Sequence, residues 1–306
     1  MNGRRDEHAV LIINPRSGGG KAERYHLVAE CTKRGIEAVL LGQGDDVAAV
    51  AAAAAARADV IGAAGGDGTE ASVAAAAAER AIPFVCVPAG TRNHFALDLG
   101  VDRHDVVGAL DAFRDGTERH VDLGRVNGHT FVNNASMGWY GKLVHSPSYR
   151  DAKWRTAFET LPEVLGPRSA PFRLRFRGPD GRDLDEVHIL LVSNNPYNLD
   201  VLPGMATRGD INLGTLGIMA ARLRPPRPPL PVGTTTTLRH WLQWTVAAFR
   251  VDADSTIELG LDGEARRLDP PLLFESVPNA LRVRTHTRPR LPIAPPPLPR
   301  GPSPLA

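Results

Sequence analysis

Residues 62–72 read "GAAGGDGTEAS", directly after an apolar run and before an alanine-rich one. Adjacent glycines let a backbone turn sharply and lie close to a ligand that side chains would exclude. Thr69 is placed to cap the helix that follows, and the free amides of a helix N-terminus attract phosphate. An aspartate sits badly beside phosphate unless a cation comes between them. Asp67, flanked by glycines, therefore points to a nucleotide together with a divalent metal.

The sequence around this loop has a regular texture. His8–Ile13 reads as a buried strand, followed by the loop "NPRSGGGK" (14–21) and a helix to about Arg34. Ile36–Leu41 reads as a strand and Asp45–Arg57 as a helix. Val60–Ala64 is a third strand, Thr69–Arg80 its helix, and Ile82–Val87 a fourth strand ended by Pro88. Short apolar strands alternating with helices predict a parallel sheet, which binds ligands beyond the carboxyl ends of its strands. From about residue 120 the pattern changes to alternation around turns: Asn127-Gly128, Asp180-Gly181 and Asp262-Gly263. A mainly antiparallel β-sandwich domain is expected there. The expected division is 8–120 for an α/β nucleotide domain, 121–287 for the β domain and 288–306 for a proline-rich tail. One helix is expected within the β domain, at about 148–165, and a loop at 222–233.

The 306 residues, 42% of them hydrophobic, suffice for one large domain or two ordinary ones. A net charge of +2 gives no general attraction to nucleic acid. The two cysteines, Cys31 and Cys86, fall in apolar patterns and read as reduced core residues of a cytoplasmic protein. The first ten residues carry acids and no long apolar segment, so a signal peptide is not expected. The alanine tract at 48–56 is too short to span a membrane, which leaves peripheral contact.

"NPRSGGGK" is not the P-loop pattern, because Pro15 stands where the first glycine belongs and Ala22 follows Lys21. It suits backbone amides facing a phosphate, and equally a plain turn between strand and helix. "PAGTRNHFALDLG" (88–100) offers Thr91 and Asn93 at the end of the next strand. With "FVNNASMGWYGKLV" and "LDGEARRLDPPLLFESVPNALRV", these segments stand in the order found in the diacylglycerol kinase catalytic-domain family, which the chain resembles over nearly all of 8–286. The family joins an N-terminal α/β domain, of the kind shared with NAD kinases, to a C-terminal β-sandwich. Its reaction is transfer of the γ-phosphate of ATP, with Mg2+, to the hydroxyl of a lipid alcohol such as diacylglycerol.

The resemblance implies that Asn14, Ser17, Gly18, Gly66, Gly68, Thr69, Thr91 and Asn93 bind the nucleotide. It implies that Glu264 is the general base and Asp67 a catalytic or metal-binding partner. Asn93-His94 stands where many relatives have Asn-Asp. Leu213-Gly214 stands where relatives carry an Asp-Gly turn that holds a structural magnesium; Asp210 is the nearest carboxylate left for such a site.

A lipid acceptor needs an apolar or interfacial surface. Trp139, Tyr140, Leu143, Trp154, Phe158 and Leu161, interleaved with Lys142, Arg150, Lys153 and Arg155, either rest on an anionic membrane or pack inward. "FRLRFR" (172–177) puts Phe172, Leu174 and Phe176 on one face and three arginines on the other. Two other functions remain open: an NAD kinase, which shares "GGDGT", and a non-catalytic nucleotide or lipid sensor. Retention of both Asp67 and Glu264 argues for catalysis.

Overall fold

The computed structural model describes residues 7–91, 93–138, 171–198, 208–221 and 241–286. Strands β1 (Ala9–Ile13), β2 (Ile36–Leu40), β3 (Val60–Ala64) and β4 (Phe84–Val87) pair in parallel in the order β2-β1-β3-β4. Every residue of β1, β3 and β4 is buried. That is the environment in which unbroken apolar strands, rather than alternating ones, are stable.

Helices α1 (Lys21–Arg24) and α2 (Leu27–Lys33) stand where a single helix was expected. His26 adopts a left-handed conformation at φ 49° and breaks the run. Helix α3 (Val47–Ala55) is capped by Asp46, whose carboxylate accepts from the Ala48 and Ala49 amides. Helix α4 (Asp67–Arg80) packs against α3, and Ala74 and Ala77 on it are fully buried. Its N-cap is the extended Gly66, with no side-chain cap. Thr69 therefore lies inside the first turn and does not cap the helix as the sequence suggested. Helices α5 (His94–Asp98) and α6 (Ala112–Asp115) lead into the β region.

There β5 (Thr117–Val126) and β6 (His129–Phe131) form the expected hairpin, with Asn127 and Gly128 both at positive φ. The remaining strands are β7 (Asn134–Gly138), β8 (Phe176–Arg177), β9 (Asp183–Leu184), β10 (Ile189–Asn194), β11 (Leu216–Ala221) and β12 (Trp241–Val246). After them come β13 (Ala248–Val251), β14 (Ile257–Leu261), β15 (Glu264–Leu268) and β16 (Leu272–Thr285). A second, antiparallel sheet runs β12-β11-β10-β7-β14-β15. It buries Met137, Leu190 and Leu259 against Phe131, Phe249 and Phe274 of the first sheet, so the two sheets share one core. Leu174 and Phe176 are buried while Arg173, Arg175 and Arg177 are exposed, as alternation requires. Arg175 pairs with Asp254 and Arg177 with Asp183, so these two arginines are engaged locally.

Strand β16 belongs to both halves. Its first part pairs with β13 and the end of β5; beyond an irregularity at Val277–Leu281, Val283 pairs with Phe84 of β4 in parallel. The buried Asp122 carboxylate holds that irregularity, accepting from the Asn279 amide at 2.8 Å and the Gly214 amide at 2.6 Å. The aromatic and basic stretch 139–165, the loop at 222–233 and the tail at 288–306 lie outside the described residues.

Candidate active site at the junction of the two halves

Three loops leave the carboxyl ends of β1, β3 and β4 and meet backbone to backbone. Gly18 sits at φ +60°, and any side chain there would overlap the Ala89 carbonyl oxygen. A side chain at Gly90 would run into the Gly65 carbonyl and the Gly66 Cα, 2.8 Å away. Only glycine permits this approach. Lys21 clamps the first loop to the third, its Nζ donating to the carbonyls of Gly90 (3.0 Å) and Pro88 (3.3 Å). Burial lowers its pKa, and neighbouring Arg103 and Arg24 add to the effect.

Asn93 is buried and braces the third loop from within. Its Oδ1 accepts from the Gly90 amide (2.8 Å), and its Nδ2 donates to the carbonyls of Gly90 (3.0 Å) and Pro88 (3.1 Å). Its amide faces the protein; Thr91, two residues earlier, is exposed. Asn14 Nδ2 donates to Thr69 Oγ1 at 3.2 Å, which joins the first loop to α4. Ser17 and Gly66 are half-buried beside each other. Because no side chain caps α4, its first-turn amides remain available to an anion.

Gly18→Ala is expected to destabilise the protein by about 2–3 kcal/mol, combining a left-handed penalty of about 1 kcal/mol with overpacking of a similar size. The observable is a lower urea midpoint with unchanged slope.

The second half closes on this cradle through the turn between β14 and β15. A side chain at Gly68 would overlap the Glu264 carboxylate, so Glu264 lies directly on the first turn of α4. It is half exposed, and its Oε2 pairs with Arg266 Nη2 at 3.1 Å. Asp262 holds the turn: its carboxylate accepts from the amides of Val132 (2.8 Å), Asn133 (2.8 Å) and Asn134 (3.0 Å). Burial pushes its pKa up to about 7; the three amides oppose the rise and the charge of Asp67 adds to it.

Asp67 Oδ1 accepts from Asn133 Nδ2 at 3.0 Å and from the Phe95 amide at 3.4 Å. Its other oxygen has no hydrogen bond to a described residue. Behind Asn133 lies Arg208, whose side chain is fully buried. It donates to Asp98 Oδ2 (2.5 and 2.8 Å), to the carbonyls of Val132 (2.6 Å) and Asn194 (2.7 Å), and to Asn133 Oδ1 (2.8 Å). The Tyr197 ring lies 5.9 Å from the guanidinium.

One turn along α4, Glu70 is wholly buried. Burial, and then the charge of Asp67, push its pKa well above the ordinary carboxylate value. Its neighbour is the Cys86 thiol, a weak donor, and neither oxygen has a stronger partner among the described residues.

The structure thus brings Asn14, Ser17, Gly18, Gly66, Asp67, Gly68, Thr69 and Glu264 to one place. Asp210 stands apart and exposed, and among the described residues no three His, Cys, Asp or Glu side chains gather to hold a metal. Glycine-loop amides, an uncapped helix start and an Asp67 oxygen with no hydrogen bond to a described residue fit a nucleotide phosphate carrying a hard cation. Sequence reading missed Asn133, Arg208, Asp98 and Asp262. Asp262 stands two residues before Glu264, and Asn133 and Asp98 lie inside the quoted segments "FVNNASMGWYGKLV" and "PAGTRNHFALDLG"; Arg208 had no comparable signal.

Residues 8–126 match the family model of the diacylglycerol kinase catalytic domain. The chain is 33% identical over 146 residues to a diacylglycerol kinase of Bacillus subtilis, covering 45% of this chain and 48% of that protein. It is 30% identical over 188 residues to a diacylglycerol kinase of Mycobacterium tuberculosis, covering 56% and 60%. The chain therefore spans about half to three fifths of the curated relatives it matches. In fold it is similar to a crystal structure of a diacylglycerol kinase from Bacillus anthracis, with a TM-score of 0.63 and 18% identity, over 92% of this chain and 98% of that one.

Proposed function

We propose, from a chain whose residues 8–126 match the diacylglycerol kinase catalytic-domain model, that it transfers the γ-phosphate of ATP to the hydroxyl of a lipid alcohol, diacylglycerol first. The observation that carries this reading is Glu264 seated on Gly68, which puts a half-exposed carboxylate against the loop that would hold the phosphates. In this reading residues 8–120 bind the nucleotide, and residues 121–287 supply the base and one wall of the acceptor cleft.

Asn14, Ser17, Gly18, Gly66, Gly68 and Thr69 form the phosphate side, and Asp67 with Glu264 the reacting end. Asp67 would hold a magnesium ion, which would neutralise phosphate charge. Glu264 accepts the proton of the acceptor hydroxyl as its oxygen bonds to the γ-phosphorus and ADP departs. Thr91 is exposed at the rim, open to the nucleotide, whereas Asn93 acts by shaping the loop. A lipid acceptor implies peripheral association with an anionic membrane at the cytoplasmic face. No helix among the described residues is long and apolar enough to cross a membrane.

The test is transfer of labelled γ-phosphate from magnesium-ATP to diacylglycerol in mixed micelles, with NAD as a second acceptor. A labelled phospholipid is the expected product. Label in NADP would replace this reading with an NAD kinase; ATP binding without transfer to any acceptor would replace it with a sensor.

A further inference from the structure

We propose that Asn133 is a positioning residue that keeps Asp67 and Glu264 in register across the junction. The residue is 4% exposed, and every polar group it owns reaches a different element. The amide nitrogen donates to Asp67 on α4, and the amide oxygen accepts from Arg208. The backbone N–H donates to Asp262, two residues before Glu264, and the carbonyl accepts from the Asn194 amide at 2.9 Å.

Chemistry fixes the orientation of that amide. A guanidinium only donates and an ionised carboxylate only accepts, so the oxygen must face Arg208 and the nitrogen Asp67. No other side chain of this size satisfies both neighbours at once. Without it, Asp67 would keep only the longer bond from the Phe95 amide. One residue thus orients a carboxylate of the nucleotide loop and, through its own backbone, ties down the turn that carries Glu264. Displacing a catalytic group by about 1 Å costs on the order of a hundredfold in rate.

The catalytic part of this inference rests on the kinase reading; the geometric part does not. Asn133→Asp puts a carboxylate oxygen where the donating nitrogen stood, facing Asp67 Oδ1. Two acceptor oxygens then face each other with no donor between them, and the bridge is lost.

Two measurements decide. In urea unfolding at pH 8, Asn133→Asp should lower the midpoint. The double variant with Asp67→Asn should restore it, because the amide introduced at position 67 can donate to the carboxylate introduced at position 133. In the phosphotransfer assay, Asn133→Asp should lose about a hundredfold in kcat at pH 8 with little change in KM for ATP. Additive midpoints in the double variant, or wild-type kcat in Asn133→Asp, would overturn the proposal. If the wild type phosphorylates no lipid, the kinase reading fails and the unfolding cycle alone judges Asn133.

Discussion

Replacing Arg208 with methionine is expected to lower the free energy of unfolding by about 3–5 kcal/mol, the cost of removing one member of a buried ion pair. The side chains of Arg208 and Asp98 are 0% and 4% exposed, so the orphaned carboxylate could not reach water. The substitution would also strip donors from the Val132 and Asn194 carbonyls and from Asn133 Oδ1. Each buried acceptor left alone costs about 1–3 kcal/mol where nothing replaces the lost donor. Methionine keeps most of the volume, which separates the electrostatic loss from a cavity effect. Urea unfolding is the measurement, and a variant within about 1 kcal/mol of wild type would show that the guanidinium is not what joins the halves. The double variant with Asp98→Leu should recover part of the loss, since apolar replacement of both partners is often tolerated.

If the proposed kinase reading holds, Glu264→Gln is expected to reduce kcat by about 10²–10⁴, the usual contribution of a general base. Stability and nucleotide affinity should hardly change, because the side chain is half exposed and its described polar partner is the equally exposed Arg266. Gly68→Ala gives an independent route to the same end. The new methyl group overlaps the Glu264 carboxylate, the free end of a flexible side chain, so the fold can accommodate it while the carboxylate moves aside. Both variants should keep their urea midpoints and lose turnover. Full turnover in Glu264→Gln would remove Glu264 from the role of base. An equal loss of nucleotide affinity would make it a binding residue instead.

The elements of the first 90 residues were legible because each declares itself locally. Apolar runs gave β1, β3 and β4, and the loops "NPRSGGGK", "GGDGT" and "PAGTRN" met where such loops meet. The positions of α4's start and of the break at His26 were not legible, since they depend on whether one residue is extended or left-handed. Asn93 read as a possible ligand contact, yet its buried amide serves its own loop. Arg208 and Asp98 are 110 positions apart, and neither neighbourhood hints at the other. Their meeting follows from how the two halves pack, which no local pattern encodes. Glu264 was singled out through family resemblance; its turn alone reads as an ordinary polar hairpin.

The divided allegiance of β16 has a consequence for synthesis. The free edge of β4 is covered only when Val283 arrives, about two hundred positions after Phe84. At ribosomal speeds of about 5–20 residues per second, that edge waits roughly 10–40 s for its partner. Throughout that interval the nascent chain offers an apolar, unpaired strand to any neighbour, and a truncation before Val283 would make the exposure permanent. Chaperone demand during translation should therefore track the arrival of the last strand rather than completion of the first hundred residues.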